Sequence, residues 1–309
     1  MSSDSPAVPH VPRWLLVLLL LVLGSIWGFA FSLAKIGAQG GFPPLAYAMW
    51  QSAGGGAILL AICWARGLPP PLSPSHLRYY AISGVVGIAI PNVNIIAVVN
   101  HLPVGVVTIL VTLAPLLTWT FARLAGQEGP SLRRGLGTLI GFCGALLILL
   151  PRASLPSPDL AGWVLVGLAT PVFYAAGNVY VARSRPSGAH SLSLAAMMHI
   201  AVAAALLPAA LLRGELRTLW PPFAAADYAV MGHMLSAAAS ALMFFEIIRL
   251  AGPVFLSQVA YIVTITGLIW GMYLFGERHS AWIWAAMLAI FVGLALVTWP
   301  ARTGVRSKV

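Results

Sequence analysis

Residues 24–35 read "GSIWGFAFSLAK", and residues 171–183 read "PVFYAAGNVYVAR". Each is an apolar run that closes on alanine plus one base, Lys35 in the first and Arg183 in the second. Trp27 and Phe31 stand four residues apart, as do Tyr174 and Asn178, so each pair projects from one face of a helix. The stretches align with "FSLAK" over "VYVAR", about 149 residues apart. A similar offset sets Pro103 against Pro253 and Gly126 against Gly276. It also sets Phe142, Gly144, Leu147 and Pro151 against Phe291, Gly293, Leu296 and Pro300. A recurring offset across most of a chain is the mark of an internal repeat.

Composition says where such a repeat must live. The 309 residues are 60% hydrophobic and 8% charged, whereas soluble domains carry roughly 25% charged residues. No soluble core of this length hides that much apolar surface. The net charge of +10 comes from bases set singly between apolar runs, which makes no patch for nucleic acid. Ten stretches are long enough to cross a bilayer as helices: 14–34, 45–65, 79–99, 103–124, 134–150, 161–182, 191–212, 227–248, 253–275 and 281–299. Arg13 with "WLLVLLLLVLG" resembles a signal peptide, but the apolar run continues to about Ala34 and reads as a retained helix. Cys63 and Cys143 lie within apolar runs and read as small core residues.

Five spans per half is an odd number, so the second half enters the membrane inverted, the architecture of secondary transporters. The expected fold is an all-α integral membrane protein: ten transmembrane helices as two inverted five-helix repeats around a central cavity. The repeats cover 14–151 and 152–300, with short tails at 1–13 and 301–309. Placing both termini in the cytoplasm puts 12 of the 17 Lys and Arg residues on the inside, as the positive-inside rule requires. A multi-pass protein of a bacterial inner membrane is expected, surrounded by lipid, as a monomer or homodimer.

The ten spans, "WGFAF" in the first helix, "LFGERHSAWIW" before the tenth and "LAPLLTWTFARLAGQE" in the fourth resemble the drug/metabolite transporter superfamily in its EamA-type branch. Gln127 is inserted in that family's Gly-Glu close. Within the branch the chain looks most like the YddG-type amino-acid exporters. The resemblance implies a basket of helices around a central cavity, with the fifth and tenth spans at the periphery. It also implies outward transport of amino acids.

The residues themselves narrow the chemistry. Six of the seven acidic residues fall in tails, loops or span ends, and Glu246 lies one turn from a span end with Arg249 at i+3. No carboxylate stands at the membrane centre, where a proton relay or a cation counter-ion would be. Lys35 and Arg183 sit at span ends, where long side chains snorkel. Neutral polar residues instead form stripes. Thr108, Thr112, Pro115 and Trp119 share a face of the fourth span, and His233, Ser236 and Ser240 share one of the eighth. Tyr174 with Asn178, Gln258 with Tyr261, and Asn92 and Asn94 complete the set.

Such stripes avoid lipid; each serves either as a cavity wall or as hydrogen-bonding glue between helices. Mid-span Tyr174 and Tyr261 lie away from the interfacial belts where Tyr is usually found and favour the cavity. The candidate substrate-binding residues are therefore Trp27, Phe31, Asn92, Asn94, Thr108, Thr112, Tyr174, Asn178, His233, Ser236, Gln258 and Tyr261, with Pro115 and Pro171 as hinges. His233 reads either as a proton-coupling or substrate contact or as a neutral histidine bonded to a neighbour. The small residues of "GTLIG" (137–141) and Ala285, Ala289 and Gly293 suit close packing, internal or between copies.

An uncharged, hydrogen-bonding, aromatic-walled cavity suits a neutral or zwitterionic small molecule moved by alternating access. A broad exporter of drugs or toxic aromatics is the alternative. A membrane enzyme or scaffold is the remaining class, without "HExxH" or "GxSxG" to support it. No catalytic residue, metal or cofactor is expected.

Overall fold

The computed structural model describes residues 12–149 and 157–298. The tails at 1–11 and 301–309, Arg152, Trp299 and the Pro151/Pro300 match lie outside the described residues. Ten helical spans follow in order: α1 (Arg13–Gln39), α2 (Pro44–Ala65), α3 (Pro74–Val98), α4 (Val104–Leu124), α5 (Leu132–Leu149), α6 (Ala161–Ser184), α7 (Ser191–Leu212), α8 (Ala225–Gly252), α9 (Val259–Phe275) and α10 (Ala281–Thr298). There is no strand among the described residues. A spanning chain must satisfy its backbone internally, which helices do.

Where the helices deviate, a residue explains it. The span expected from 253 begins as α9 only at Val259, because Gly252, at φ 80°, ends α8 and a helical step to Leu256 precedes a turn at Ser257 and Gln258. Pro115 cannot donate to the preceding turn, and α4 breaks at Thr112 and Leu113 just before it. Pro171 similarly follows a break at Leu168 in α6. Ahead of Pro91, α3 widens into a π-turn over Val85–Ala89, one of the ordinary ways a helix absorbs a kink.

Packing displays the repeat directly. With α1–α5 exchanged for α6–α10, the contact of α1 with α9 maps onto that of α6 with α4, and α1 with α8 maps onto α6 with α3. The contact of α2 with α8 maps onto α7 with α3, while α2·α7, α4·α9 and α5·α10 map onto themselves. The matched glycines Gly126 and Gly276, both at positive φ, turn the chain after α4 and α9.

Small residues set the closest crossings, as expected where lipid supplies no hydrophobic drive between helices. Gly24 and Gly28 of the opening stretch press α1 against Ile262 and Thr266 of α9, and Thr266 donates to the Gly24 carbonyl at 3.1 Å. A Cβ on Gly177 would lie 2.5 Å from the Gly87 Cα, so α6 crosses the π-turn of α3 backbone to backbone. Gly137, Gly144 and Gly293 bring α5 and α10 equally close, a Cβ on Gly137 meeting the Gly293 carbonyl at 2.7 Å. These faces are used inside the chain. Cys63 is buried, but Cys143 is exposed on the outer side of α5 rather than in the core.

Candidate substrate pathway

Alternate spans run in opposite directions, so the bundle has two ends. One holds the α4–α5 turn with Glu128, the other the α9–α10 connection with Glu277. At the Glu128 end a cavity of about 380 Å³ is lined by Pro115, Thr118, Trp119 and Ala122 of α4 and by Glu128, Arg134, Asn178, Ser257, Val297 and Thr298. The expected uncharged wall is instead charge-balanced, because the cavity runs out to the turn, where Arg134 Nη1 pairs with Glu128 Oε2 at 2.8 Å. Asn178 Nδ2 donates to Thr118 Oγ1 at 3.3 Å. The buried Trp119 indole N–H has no hydrogen-bond partner among the described residues. A smaller cavity of about 240 Å³ at the same end is lined by Leu19, Arg66, Leu242, Met243 and Glu246, again one base and one acid. Glu246 is ion-paired with Arg249, as the i+3 spacing suggests.

The Glu277 end is tied together. Lys35 Nζ lies 2.8 Å from Glu277 Oε1, and both side chains are buried, 11% and 6% exposed. Glu277 also accepts from the backbone N–H groups of Val104 at 2.6 Å and Gly105 at 3.1 Å, the N-terminus of α4, where the helix dipole favours an anion. Gly271 leaves room for the carboxylate: a Cβ there would collide with Glu277 Oε2. Lys35 also sits 4.7 Å from the Phe275 ring centroid. It is thus a buried ion-pair partner, not the snorkelling anchor its span-end position suggests, because Phe275 and Glu277 cover it.

His279 Nε2 stands 3.7 Å from Glu277 Oε2. Burial holds its imidazole below the ordinary value, Glu277 opposing and Lys35 reinforcing the shift. A second tie joins Arg217 Nη2 to Asp227 at 3.1 Å and Arg217 Nη1 to the Gly40 carbonyl at 2.9 Å.

The residues singled out from sequence fall in several places. Asn178 and Pro115 line the larger cavity. One turn away Tyr174 donates to Asn92 Oδ1 at 3.0 Å, joining α6 to α3. Trp27 packs its ring 6.1 Å from that of Phe244, beside Met243 of the second cavity, while Phe31 is buried. Asn94 ties α3 to α6 through the Val166 carbonyl and Thr170. Thr108 and Thr112 are buried, donating to Gly105 and Thr108 carbonyls, and Thr112 meets Thr264 of α9. His233 Nδ1 lies 3.1 Å from the Tyr47 hydroxyl, and Ser236 donates to the Gly232 carbonyl. Gln258 is exposed in the turn before α9, and Tyr261 packs on Phe291 of α10.

The cavity residues Thr118, Ser257 and Thr298 and the Glu277 cluster went unselected from sequence. The matched Pro-Val pairs (103–104 and 253–254) and Gly-Glu closes (276–277, and 126–128 with Gln127 inserted) were the available signal. Among the described residues no group of His, Cys, Asp or Glu could hold a metal.

Residues 14–150 match the model of the EamA-like transporter family. The chain is 31% identical over 287 residues to the uncharacterized inner membrane transporter YedA of Escherichia coli strain K12, covering 90% of this chain and 89% of that protein. YedA of strains O6:H1 and O157:H7 matches equally. A solved crystal structure superposes with a TM-score of 0.63 at 20% identity over 94% of this chain and 100% of that one, which speaks to fold alone.

Proposed function

Because the chain belongs to the EamA-like transporter family, it is a membrane transporter, and we propose that it exports small neutral or zwitterionic metabolites, amino acids foremost, including large and aromatic ones. The observation that carries this reading is the charge-balanced cavity. It pairs one carboxylate with one guanidinium, offers Asn178, Thr118 and Thr298 for hydrogen bonding, and has Trp119 as its aromatic wall. Its 380 Å³ lies within the roughly 300–1,000 Å³ of small-molecule sites. A zwitterion can set its ammonium toward Glu128 and its carboxylate toward Arg134, leaving neither of its charges unmatched.

On this reading the positive-inside count makes the Glu128 end cytoplasmic, with both termini on that side of an inner membrane. The conformation seen is then the one that loads from the cytoplasm. Trp27, Tyr174, Asn92 and Gln258 border the path further in, while the breaks before Pro115 and Pro171 act as hinges. His233, bonded to Tyr47, is the proton-coupling candidate. The repeats 14–151 and 152–300 rock about the substrate. The small-residue faces of α5 and α10, used against each other, support a monomer as the transporting unit.

Proteoliposome counterflow with a panel of radiolabelled amino acids, each with and without a pH gradient, tests the proposal. Movement of neutral amino acids, lost in Asn178→Leu, is expected. Efflux of a cationic dye with no amino acid moving would replace the substrate class by the drug-exporter alternative.

A further inference from the structure

The repeat relates each residue of the closed end to one at the open end. Lys35 answers to Arg183, Glu277 to Glu128, and Val104 at the N-terminus of α4 to residue 254 at the corresponding Pro-Val step. At the Glu277 end these elements are joined: base, carboxylate and helix amides lie within hydrogen-bond distance. At the Glu128 end they are apart. Glu128 takes Arg134 of its own turn, and Arg183, exposed in the last turn of α6, makes no ion pair among the described residues. The cavity lies between, with Glu128 and Asn178, five residues before Arg183, both in its lining.

We propose that Lys35–Glu277 and Arg183–Glu128 are two exchanging latches that position the helices for transport. In the opposite conformation Glu277 releases Lys35 and the α4 amides. Glu128 then leaves Arg134 for Arg183, docking at the start of the step that precedes α9. Inverted repeats move by trading equivalent conformations, so a contact made by one half at one end has its image at the other end in the other state. The chemistry also fits an exchange. Arg183 is solvated and free to be recruited, and Glu128 exchanges one guanidinium for another. The first latch is the tighter of the two, because Gly105 and Gly271 admit the His279 ring and the Glu277 carboxylate, whereas Phe255 stands at the position matching Gly105.

This inference rests on the transporter reading but not on any substrate, and distance measurements separate the two. Spin labels at Asn100 and Arg278 report the Glu277 end, and labels at Gln127 and Ala182 report the Glu128 end; all four positions are exposed. In the full chain in nanodiscs, Glu277→Gln is expected to raise the population open at the Glu277 end roughly tenfold, within the usual range of coupling between states. The Gln127–Ala182 distance should shorten in the same molecules. Adding Arg183→Met should return both distributions toward the starting state. Should Glu277→Gln fail to fold, Lys35→Gln, which leaves the carboxylate on its two amides, is read instead. Unchanged distances in the folded variant, or a shift that Arg183→Met does not reverse, would overturn the latch. Reciprocal distances in a protein that moves no amino acid would keep the latch and sink the substrate class.

Discussion

At the Glu277 end, Lys35 and Glu277 are 242 residues apart in sequence and 2.8 Å apart in space, and both are buried. At the Glu128 end, the carboxylate takes its guanidinium from Arg134, six residues on, and the pair is half solvated. Glu246 and Arg249 at that same end are only three apart. One end therefore uses charge to join distant helices; the other satisfies its charges locally and leaves a cavity. The halves are related by sequence, and Gly105 against Phe255 is one difference between them; the long-range ion pair ties distant helices together at one end only.

The largest effect should follow truncation at the shut end. Glu277→Ala strands a buried Lys35 ammonium and the two amides of Val104 and Gly105. Breaking one side of a buried pair costs about 3–5 kcal/mol, readable as lost stability to denaturant in mixed micelles. A loss within the range of an exposed pair would mean that the two ends do not differ. Gly271→Ala approaches the same contact more gently, pushing a methyl into the carboxylate's place. Overpacking of this kind costs about 1–3 kcal/mol, and Gly162→Ala, in the first turn of α6 with open space around it, controls for the substitution of a helix glycine.

Acid should loosen the shut end. His279 is held below its ordinary value of 6.5, first by burial. A histidine with a lowered folded pKa contributes stability that is complete above the unfolded value and is lost as pH falls through the folded one. The thermal midpoint should thus decline below about pH 6.5, and His279→Gln should flatten that part of the profile. A decline that persists in the variant would locate the sensitive group elsewhere.

The ten spans, their alternation and the inverted repeat were legible because hydrophobic length and a recurring offset are properties of the chain itself. Asn178 and Pro115 drew attention for the same reason: a polar residue or a proline in an apolar helix stands out. Which stripe faced a neighbour and which faced the cavity was not, since Thr108 beside Gly267 and Asn94 beside Thr170 depend on crossings made by glycines on other helices. Lys35 was misread for a related reason. Taken on its own helix it is a base at a span end, and only the fold brings Glu277, 242 residues away, to cover it. The glycines of "GSIWGFAFSLAK" tell the same story: Trp27 drew attention, yet Gly24 and Gly28 make the crossing that seats α1 against α9.

The smallest effect sharpens the comparison most. Arg134→Ala removes the partner of Glu128, but with the pair 27% and 44% exposed, solvent replaces most of what is lost, and exposed pairs are worth about 0–1 kcal/mol. Stability should hardly move. What should move is the balance of states, because Glu128 has then lost its Arg134 partner and is more readily taken by Arg183. Labelling of a cysteine at Ser257, inside the cavity, in a background with both native cysteines replaced, should slow as that end closes more often. An unchanged rate would make Arg134 a bystander. A faster rate would mean that the Glu128–Arg134 pair had been holding the cavity partly shut, reversing the role assigned to that end.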